Sequence, residues 1–261
     1  MAFRRASEDS PLRNVEANSV VAEKFLESYK HNVYKKLLED NNHMPSKSFA
    51  PSSIRCKRAQ WFRLRGTTPD VHEPDATLRF IADIGTHCHE NIQRNLIEFL
   101  GDSWLDVDSY LKENKPPYEY VLNKNEFETQ VKVSNPPVSF SCDGLVKFQG
   151  KVYLLEIKTS EANSMRKLVA PKPEHMDQIK CYCTLMGVDD ALVLYQDRQY
   201  GSFKCFTYHL SEMDKQEIVS TFEEVQQYVE RNMVPPALPK SDKWCNSSYC
   251  KYYSTCGKWG R

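Results

Sequence analysis

The chain has 261 residues, which is enough for one large domain or for a core domain with added segments. Its 35 basic and 35 acidic side chains cancel, and a net charge of zero neither favours nor excludes a nucleic-acid partner. The sequence shows neither a secretory signal nor an apolar run of the roughly 20 residues that span a bilayer. We therefore expect a soluble, intracellular protein with no membrane partner, in the cytoplasm or nucleoid, or in the host cytoplasm if it is viral.

Apolar residues at helical spacing predict three helices in the first part of the chain. The first runs over residues 19–40. The second begins near Ser52 or Ser53, either of which could cap it, and ends at Gly66. The third runs over about 75–100. We treat residues 1–50 as an N-terminal helical extension and residues 51–261 as the main domain.

The middle of the chain has strand-length apolar or alternating runs instead of the helical pattern. The predicted strands are 126–133, 139–148, 151–157, 191–195 and 203–209, and the first three are expected to form a meander. Two more helices are predicted at 174–186 and 212–233. This order indicates an α/β fold with a central mixed β-sheet flanked by helices, and with N- and C-terminal segments that meet and are joined at a cysteine cluster.

One predicted hairpin carries two carboxylates and a lysine. A Gln-Gly turn at 149–150 joins its strands, with Asp143 before the turn and Glu156 at a similar distance after it. Both carboxylates are therefore expected at the same end of the paired strands. Glu156 and Lys158 are two residues apart, so they project from one face of their strand.

This residue combination suits hydrolysis of a phosphodiester. Paired carboxylates bind a hard divalent cation through oxygen ligands, and such a cation polarises a phosphate and lowers the pKa of water. A lysine beside them stabilises growing negative charge. The alternative is a solvated pair of charges, because Glu-x-Lys is a short motif. The apolar residues around Glu156 indicate a buried strand, where charges more often have a function.

The spacing of Asp143 and the Glu156-Ile157-Lys158 run resembles the core of the PD-(D/E)xK nucleases, and especially the RecB-like branch. This resemblance implies a restriction-endonuclease-like core. It also implies a metal-dependent DNA nuclease in which Asp143, Glu156 and Lys158 are catalytic.

Two flanking segments extend the resemblance. Gly85 and His89 are similar to a Gly-x-x-x-His helix of that branch, which implies His89 as a metal ligand rather than its neighbour His87. Gln178 and Tyr182 match a Gln-x-x-x-Tyr helix whose residues lie beside the active site and contact DNA. An ordinary histidine and a packed helical face are the alternatives. The implied ligands of Mg²⁺ or Mn²⁺ are His89, Asp143, Glu156 and the Ile157 carbonyl, and Glu126 or Glu128 could add a carboxylate.

Four of the nine cysteines lie near the ends of the main domain, and clustered cysteines in a reducing compartment indicate metal ligation. They are Cys56, Cys245, Cys250 and Cys256. One cysteine before the core and three after it resemble the iron–sulfur nucleases of the RecB-like branch, such as the AddB nuclease domain and CRISPR-associated exonucleases. The resemblance implies a structural 4Fe-4S cluster. The first C-terminal gap, C-x4-C, is longer than that family's C-x2-C, and structural Zn²⁺ or no metal at all are the alternatives.

The second predicted helix mixes basic and aromatic side chains, among them Arg58 and Trp61. Basic groups neutralise phosphates and aromatic rings stack on unpaired bases, so both residues are predicted to contact DNA. The alternative is a helix packed through Trp61 with its basic residues in solvent.

The sequence thus predicts a metal-dependent DNA exonuclease acting on single-stranded DNA or DNA ends, in recombination, repair or phage or CRISPR DNA processing. Partner proteins of a recombination or CRISPR system, and an oligomer, are possible. The competing hypothesis is a non-catalytic DNA-binding or assembly module that retains the nuclease fold. No phosphate-binding loop of the Gly-x-x-x-x-Gly-Lys type is present, so the sequence carries no helicase motor.

Overall fold

The computed structural model describes residues 20–40, 47–70 and 76–259. The chain divides into two compact units, residues 1–43 with 72–80 and residues 44–71 with 81–261. In the first unit, the predicted N-terminal helix is confirmed as α1, Val20–Asp40, and Tyr29 stacks on Phe80 with ring centroids 5.5 Å apart. The proposed division of the chain after residue 50 remains a prediction.

The remaining helices and strands alternate along the chain. The helices are α2 Lys57–Leu64, α3 Ala76–Leu100, α4 Val107–Asn114, α5 Ala162–Lys167, α6 Pro173–Met186, α7 Glu212–Glu230 and α8 Tyr253–Gly257. The strands are β1 Trp104–Leu105, β2 Tyr120–Lys124, β3 Thr129–Val133, β4 Val138–Cys142, β5 Gly144–Phe148, β6 Lys151–Ser160, β7 Asp190–Asp197 and β8 Phe203–His209. Asp75, where the sequence placed the start of α3, lies outside the described residues.

The strands form two sheets. The larger sheet has the order β1-β5-β6-β7-β8, and its pairs are antiparallel except for the parallel pair of β6 and β7. The smaller sheet is the antiparallel meander β2-β3-β4. The predicted α/β class with a central mixed sheet flanked by helices is therefore confirmed.

Local sequence explains where several elements begin and end. The capping box of Ser211 and Asp214 starts α7, and Pro173 occupies the first turn of α6. Gly187 ends α6 in the left-handed conformation at φ 65°. The β5–β6 hairpin turns through Gln149 and Gly150, both with positive φ, as a two-residue turn between twisted strands requires.

The prediction of one strand over 139–148 is wrong, and so is the predicted meander. The run breaks at Asp143, so that β4 belongs to the smaller sheet and β5 to the larger one. The second helix also begins later than predicted, at Lys57, because Pro51–Ser53 form a separate 3-10 turn. Sequence periodicity missed the short elements β1, β2, α4, α5 and α8, which have too few residues to show a period.

The two ends of the second unit pack together. Phe62 of α2 stacks on Tyr252 with ring centroids 5.3 Å apart, and Trp61 packs edge-on against Trp259. Asp70 accepts hydrogen bonds from the backbone of Ser254 and Thr255 at the start of α8. The predicted meeting of the terminal segments is thus present. Across the described part of the chain, no helix has both the length and the apolar character needed to span a membrane.

Candidate active and metal site

The residues predicted to be catalytic meet where β4 passes into β5, beside the middle of β6. The antiparallel register of β5 and β6 pairs Gly144 with Leu155. Two residues further along β6, the backbone N–H of Ile157 donates a hydrogen bond to Asp143 Oδ2 at 2.7 Å. A side chain on Gly144 would come within 2.5 Å of the Trp104 ring, so only glycine fits directly after Asp143. The break between the strands therefore turns the Asp143 carboxylate towards β6.

Glu156 and Lys158 form a buried ion pair on β6. Lys158 Nζ lies 2.5 Å from Glu156 Oε1, and Glu156 is only 2% exposed. Gln178 on α6 bridges them, because its amide nitrogen donates to Glu156 Oε1 at 3.0 Å and its oxygen accepts from Lys158 at 3.3 Å. The second Glu156 oxygen, Oε2, is buried and has no hydrogen-bond partner among the described residues. A buried carboxylate oxygen without a partner is costly, and a cation would satisfy it.

Burial and neighbouring charges change the proton affinity of this group. Burial, against the opposing charge of Lys158 and with the added charge of Asp143, raises the pKa of Glu156 to about 7. Burial alone would lower the pKa of Lys158, but the Glu156 carboxylate outweighs burial and leaves that pKa raised. Lys158 is therefore held as a cation beside two acidic groups.

A second cluster shares Asp143. Ligand atoms of His89, Glu128 and Asp143 lie within 4.8 Å of one another, and His89 Nδ1 faces Asp143 Oδ1 at 3.8 Å. His87, the rival histidine, has a side chain that is 79% exposed and lies near Glu90 instead. Burial, followed by the charge of Asp143, raises the pKa of Glu128. We name His89, Glu128, Asp143, Glu156 and Lys158 together the strand-end site.

The Ile157 carbonyl also faces this site. The N–H and C=O of one strand residue point towards the same neighbouring strand. Since the Ile157 N–H donates to Asp143, its carbonyl lies on the Asp143 side of β6. Ile157 itself is fully buried, which fixes the strand at this point.

Gln93 is a residue of the site that the sequence analysis missed. It is fully buried on α3 and donates to the backbone carbonyl of Asp143 at 2.9 Å and to that of Phe127 at 3.4 Å. It follows His89 by four residues, so both occupy one helical face. That spacing was the available signal, but nothing in the sequence shows which strand faces it.

Gln178 and Tyr182 lie beside the site, as the resemblance implied for the Gln-x-x-x-Tyr helix. Tyr182 hydroxyl accepts from the Gln178 amide at 2.7 Å, and its ring stacks on Phe140 with centroids 4.2 Å apart. Tyr182 is only 5% exposed in this conformation, and its contact with DNA stays a prediction. It positions Gln178, and Gln178 remains the one of the pair that reaches the strand-end site.

Arg58 and Trp61 both have buried side chains in this structure, and the DNA contacts predicted for them stay predictions. Trp61 is 1% exposed, and Arg58 donates to the Pro235 carbonyl at 2.7 Å and towards Cys256 Sγ at 3.6 Å. The other basic residues of this segment bind within the protein. Their partners are Asp177 for Arg55, Glu224 for Lys57, the Ser48 carbonyl for Arg63 and Asn232 for Arg65.

The four terminal cysteines line one cavity of about 190 Å³, which we name the cysteine cavity. Burial raises the pKa of the Cys56 thiol, and nearby Cys250 and Cys256 raise it further. Four thiolates around one tetrahedral zinc lie about 3.8 Å apart. Within the described ranges, no three of these sulfurs lie within 4.8 Å of one another. The cavity brings the four cysteines together without fixing the spacing of one particular metal group.

No family model matches this sequence, and no curated protein matches it. Among solved structures, the chain is similar to SSO0001, with 13% identity and a TM-score of 0.47 over 92% of this chain and 98% of that one. It is similar to LHK-Exo in complex with dAMP, with 16% identity and a TM-score of 0.42 over 67% and 78% of the chains. It is also similar to the alkaline exonuclease LHK-Exo from Laribacter hongkongensis, with 14% identity and a TM-score of 0.38 over 74% and 93%. Because identity and TM-score are low in all three, these similarities carry no argument about activity, which has to come from the residues of this chain.

Proposed function

We propose that this chain is a metal-dependent deoxyribonuclease of the PD-(D/E)xK type. The observation that carries the proposal is the buried group of Asp143, Glu156 and Lys158, in which one Glu156 oxygen lacks any partner among the described residues. Buried charges that serve only stability have their partners in place. A buried pair of carboxylates with one unpartnered oxygen, beside a lysine, suits a site at which a cation and a phosphate bind.

The donor set fits Mg²⁺ or Mn²⁺, because carboxylate and carbonyl oxygens with one imidazole suit such ions. His89, Asp143, Glu156 and the Ile157 carbonyl are the residues that would hold the ion. When bound, the ion supplies Lewis-acid polarisation of the phosphate and a lowered pKa of water. Asp143 is already oriented for this by the Ile157 N–H.

Lys158 contributes the positive charge that stabilises the transition state. Gln178 and Glu156 fix its ammonium group, and the neighbouring carboxylate keeps its pKa raised, so that it stays protonated. A fixed cation at the point where phosphate charge develops lowers the barrier without reorganisation. Gln178 acts through Lys158 and Glu156, and is therefore a positioning residue.

We further propose a structural 4Fe-4S cluster in the cysteine cavity, bound by Cys56, Cys245, Cys250 and Cys256. The fit rests on four cysteines that line one cavity, since a 4Fe-4S cluster is held by four thiolates. Arg58 directs an N–H towards Cys256 Sγ, and such hydrogen bonds stabilise thiolate ligands. Zinc remains the competing ion for this cavity.

The proposed substrate is DNA, single-stranded or with free ends, cut as an exonuclease in recombination, repair or phage or CRISPR DNA processing. This part rests on the resemblance of the Asp143 and Glu156-Ile157-Lys158 motifs to the RecB-like branch. Partner proteins of such a system, and an oligomer, belong to the same proposal.

The decisive experiment is digestion of end-labelled single- and double-stranded DNA with Mn²⁺ by wild type, Lys158→Ala and Lys147→Ala. Lys147 is an exposed lysine of the same hairpin and serves as the matched control. We expect Lys158→Ala to cut at least about 100-fold more slowly, and chelator to abolish cutting, whereas Lys147→Ala should cut like wild type. Absence of cutting by folded, metal-loaded wild type on every substrate would leave the competing DNA-binding or assembly module.

A further inference from the structure

Helix α1 carries large apolar side chains that are open to solvent. Val21 is 78% exposed and Phe25 is 75% exposed. Half of the surface of Leu26 and of Tyr29 is also accessible, although Tyr29 stacks on Phe80. These four residues of α1 lie on one side of the helix, and we name them the α1 patch. A contiguous exposed apolar patch of this kind marks an interaction surface.

The apolar residues of α1 also follow the spacing of a helix that packs along another helix. Ala22, Leu26, Tyr29 and Val33 are separated by steps of four, three and four residues. This alternation forms the seam of a two-helix coiled coil, in which each side chain enters a gap on the facing helix. The α1 patch therefore favours another helix as its occupant.

Charged residues beside this seam indicate that the facing helix is a second copy of α1. Glu23 and Lys30 are exposed, and each directly follows a seam residue, so both lie on the same border of the seam. When two copies run antiparallel about a twofold axis, this border meets the same border of the other helix, read in the opposite direction. Glu23 of each copy then lies beside Lys30 of the other. Parallel copies would not bring these two residues together.

The same antiparallel arrangement pairs the seam residues along both helices. Ala22 of one copy faces Val33 of the other. Leu26 of one copy faces Tyr29 of the other. Because an aromatic side chain buries about 150–250 Å², two α1 patches together bury on the order of 1,000 Å², which is about where specific interfaces begin. The pairing therefore suffices for a weak but specific dimer.

We propose that α1 is a self-association surface, through which two copies of this chain form an antiparallel helix pair. The pairing uses no residue of the strand-end site or of the cysteine cavity, so it does not depend on the proposed nuclease function. It gives a defined surface to the oligomer proposed above.

The test measures the oligomeric state of the full chain by sedimentation velocity over a range of micromolar concentrations. Wild type should show an equilibrium between monomer and dimer. Leu26→Glu places a charge in the middle of the seam and should raise the dissociation constant at least about 100-fold. His31→Glu is the matched control, because His31 is exposed on the opposite side of α1, and it should associate like wild type. Circular dichroism checks that both variants are folded.

The direction of the pair is tested by exchanging charges. Glu23→Lys and Lys30→Glu should each raise the dissociation constant by about tenfold, because each places like charges side by side twice in the dimer. The variant with both exchanges should dimerise like wild type, since opposite charges again face each other across the axis. Within one helix these residues are two turns apart, so they do not compensate each other there.

A wild type that stays monomeric at every concentration would overturn the proposal, and so would a dimer that Leu26→Glu leaves intact. A double exchange that fails to restore the dimer would overturn the antiparallel arrangement. None of these results bears on the nuclease proposal, which fails instead if the metal-loaded chain cuts no DNA. Running the digestion on the same preparations separates the two failures.

Discussion

The strand-end site and the cysteine cavity obtain their geometry by different routes. In the strand-end site, Asp143 and Glu156 come from one hairpin, and hydrogen bonds from Ile157 and Gln178 fix their carboxylates. The cysteine cavity takes its residues from segments at the two ends of the second unit, which aromatic packing and Asp70 bring together. Protein hydrogen bonds organise the first site, whereas we propose that the second also requires a metal group that joins distant segments.

Helix α6 links the two regions. Its first turns contribute Glu174 and Asp177 to the cysteine cavity, and the next residue, Gln178, holds Glu156 and Lys158. Arg55, from the segment before α2, also pairs with Asp177 at 2.7 Å. A change in the cavity can therefore reach the strand-end site through one helix, although we propose different metal groups for the two sites.

The largest effect is expected at the cysteine cavity, for which we propose a 4Fe-4S cluster. Cys256→Ser should remove the iron, about four atoms per chain in wild type purified without oxygen, and lower the melting temperature by about 10 °C or more. Iron analysis and thermal melting measure both. Cys205→Ser, an exposed cysteine of β8, is the matched control and should keep iron and stability.

Iron analysis and thermal melting also compare the strand-end site with the cysteine cavity. Chelator that strips the strand-end site should shift the melting temperature by only a few degrees, because protein hydrogen bonds already hold its carboxylates. One zinc per chain in place of iron would establish the competing ion. A Cys256→Ser protein that melts like wild type would show that the cavity needs no group.

The route by which each region forms also explains how far the sequence could predict it. The positive φ angles of Gln149 and Gly150 define a two-residue turn, and the turn fixes the register of β5 and β6. Local sequence therefore predicted that Asp143 and Glu156 would meet. Local sequence did not predict that His89 lies at this site, and only the family resemblance implied it. Helix α3 packs there through tertiary contacts, which the sequence does not show.

The failures concern long-range packing. The pattern of α2 shows apolar and basic residues, but it does not show that the C-terminal segment covers Trp61 and Arg58. Glu128 and Glu126 look alike in the sequence, and only the pairing of β3 with β4 distinguishes them. The break at Asp143 could not be seen either, because the Ile157 N–H that binds Asp143 and the Trp104 ring beside Gly144 belong to other strands.

An intermediate effect is expected where one buried side chain organises the strand-end site. Gln93→Met keeps the volume but removes the donor to the buried Asp143 carbonyl and to the part-buried Phe127 carbonyl. We expect the free energy of unfolding to fall by about 1–2 kcal/mol, less than the full penalty because the unpartnered Gln93 oxygen is also removed. Urea unfolding measures this change.

The control for Gln93 is Asn95→Ala, an exposed position on the same helix, which should stay within about 0.5 kcal/mol of wild type. DNA cutting by Gln93→Met should fall by about tenfold, since small displacements of aligned groups slow catalysis. Unchanged stability together with unchanged cutting would mean that the strand-end site is organised without Gln93, and the contrast with the cysteine cavity would weaken.

The smallest effect is a pH dependence at His175, on the helix that links the two regions. Its Nδ1 lies 2.6 Å from the Tyr195 hydroxyl, which accepts from the Lys172 backbone and so donates to a neutral imidazole. Burial lowers the pKa of His175 to about 4, and Lys158, Lys172 and Lys243 lower it against the opposing charge of Glu174.

Because the folded protein keeps His175 neutral while the unfolded chain protonates it near pH 6.5, stability from this group is complete above about pH 6.5. It is lost as the pH falls towards 4, and at pH 6 the loss is below about 1 kcal/mol. His175→Gln retains an acceptor for Tyr195 but does not titrate, so the difference between the two urea-unfolding curves isolates His175 from Glu156, which titrates in the same range. The difference should be constant above pH 7 and change steadily below it, whereas parallel curves down to pH 4 would show that His175 is not held neutral between the two regions.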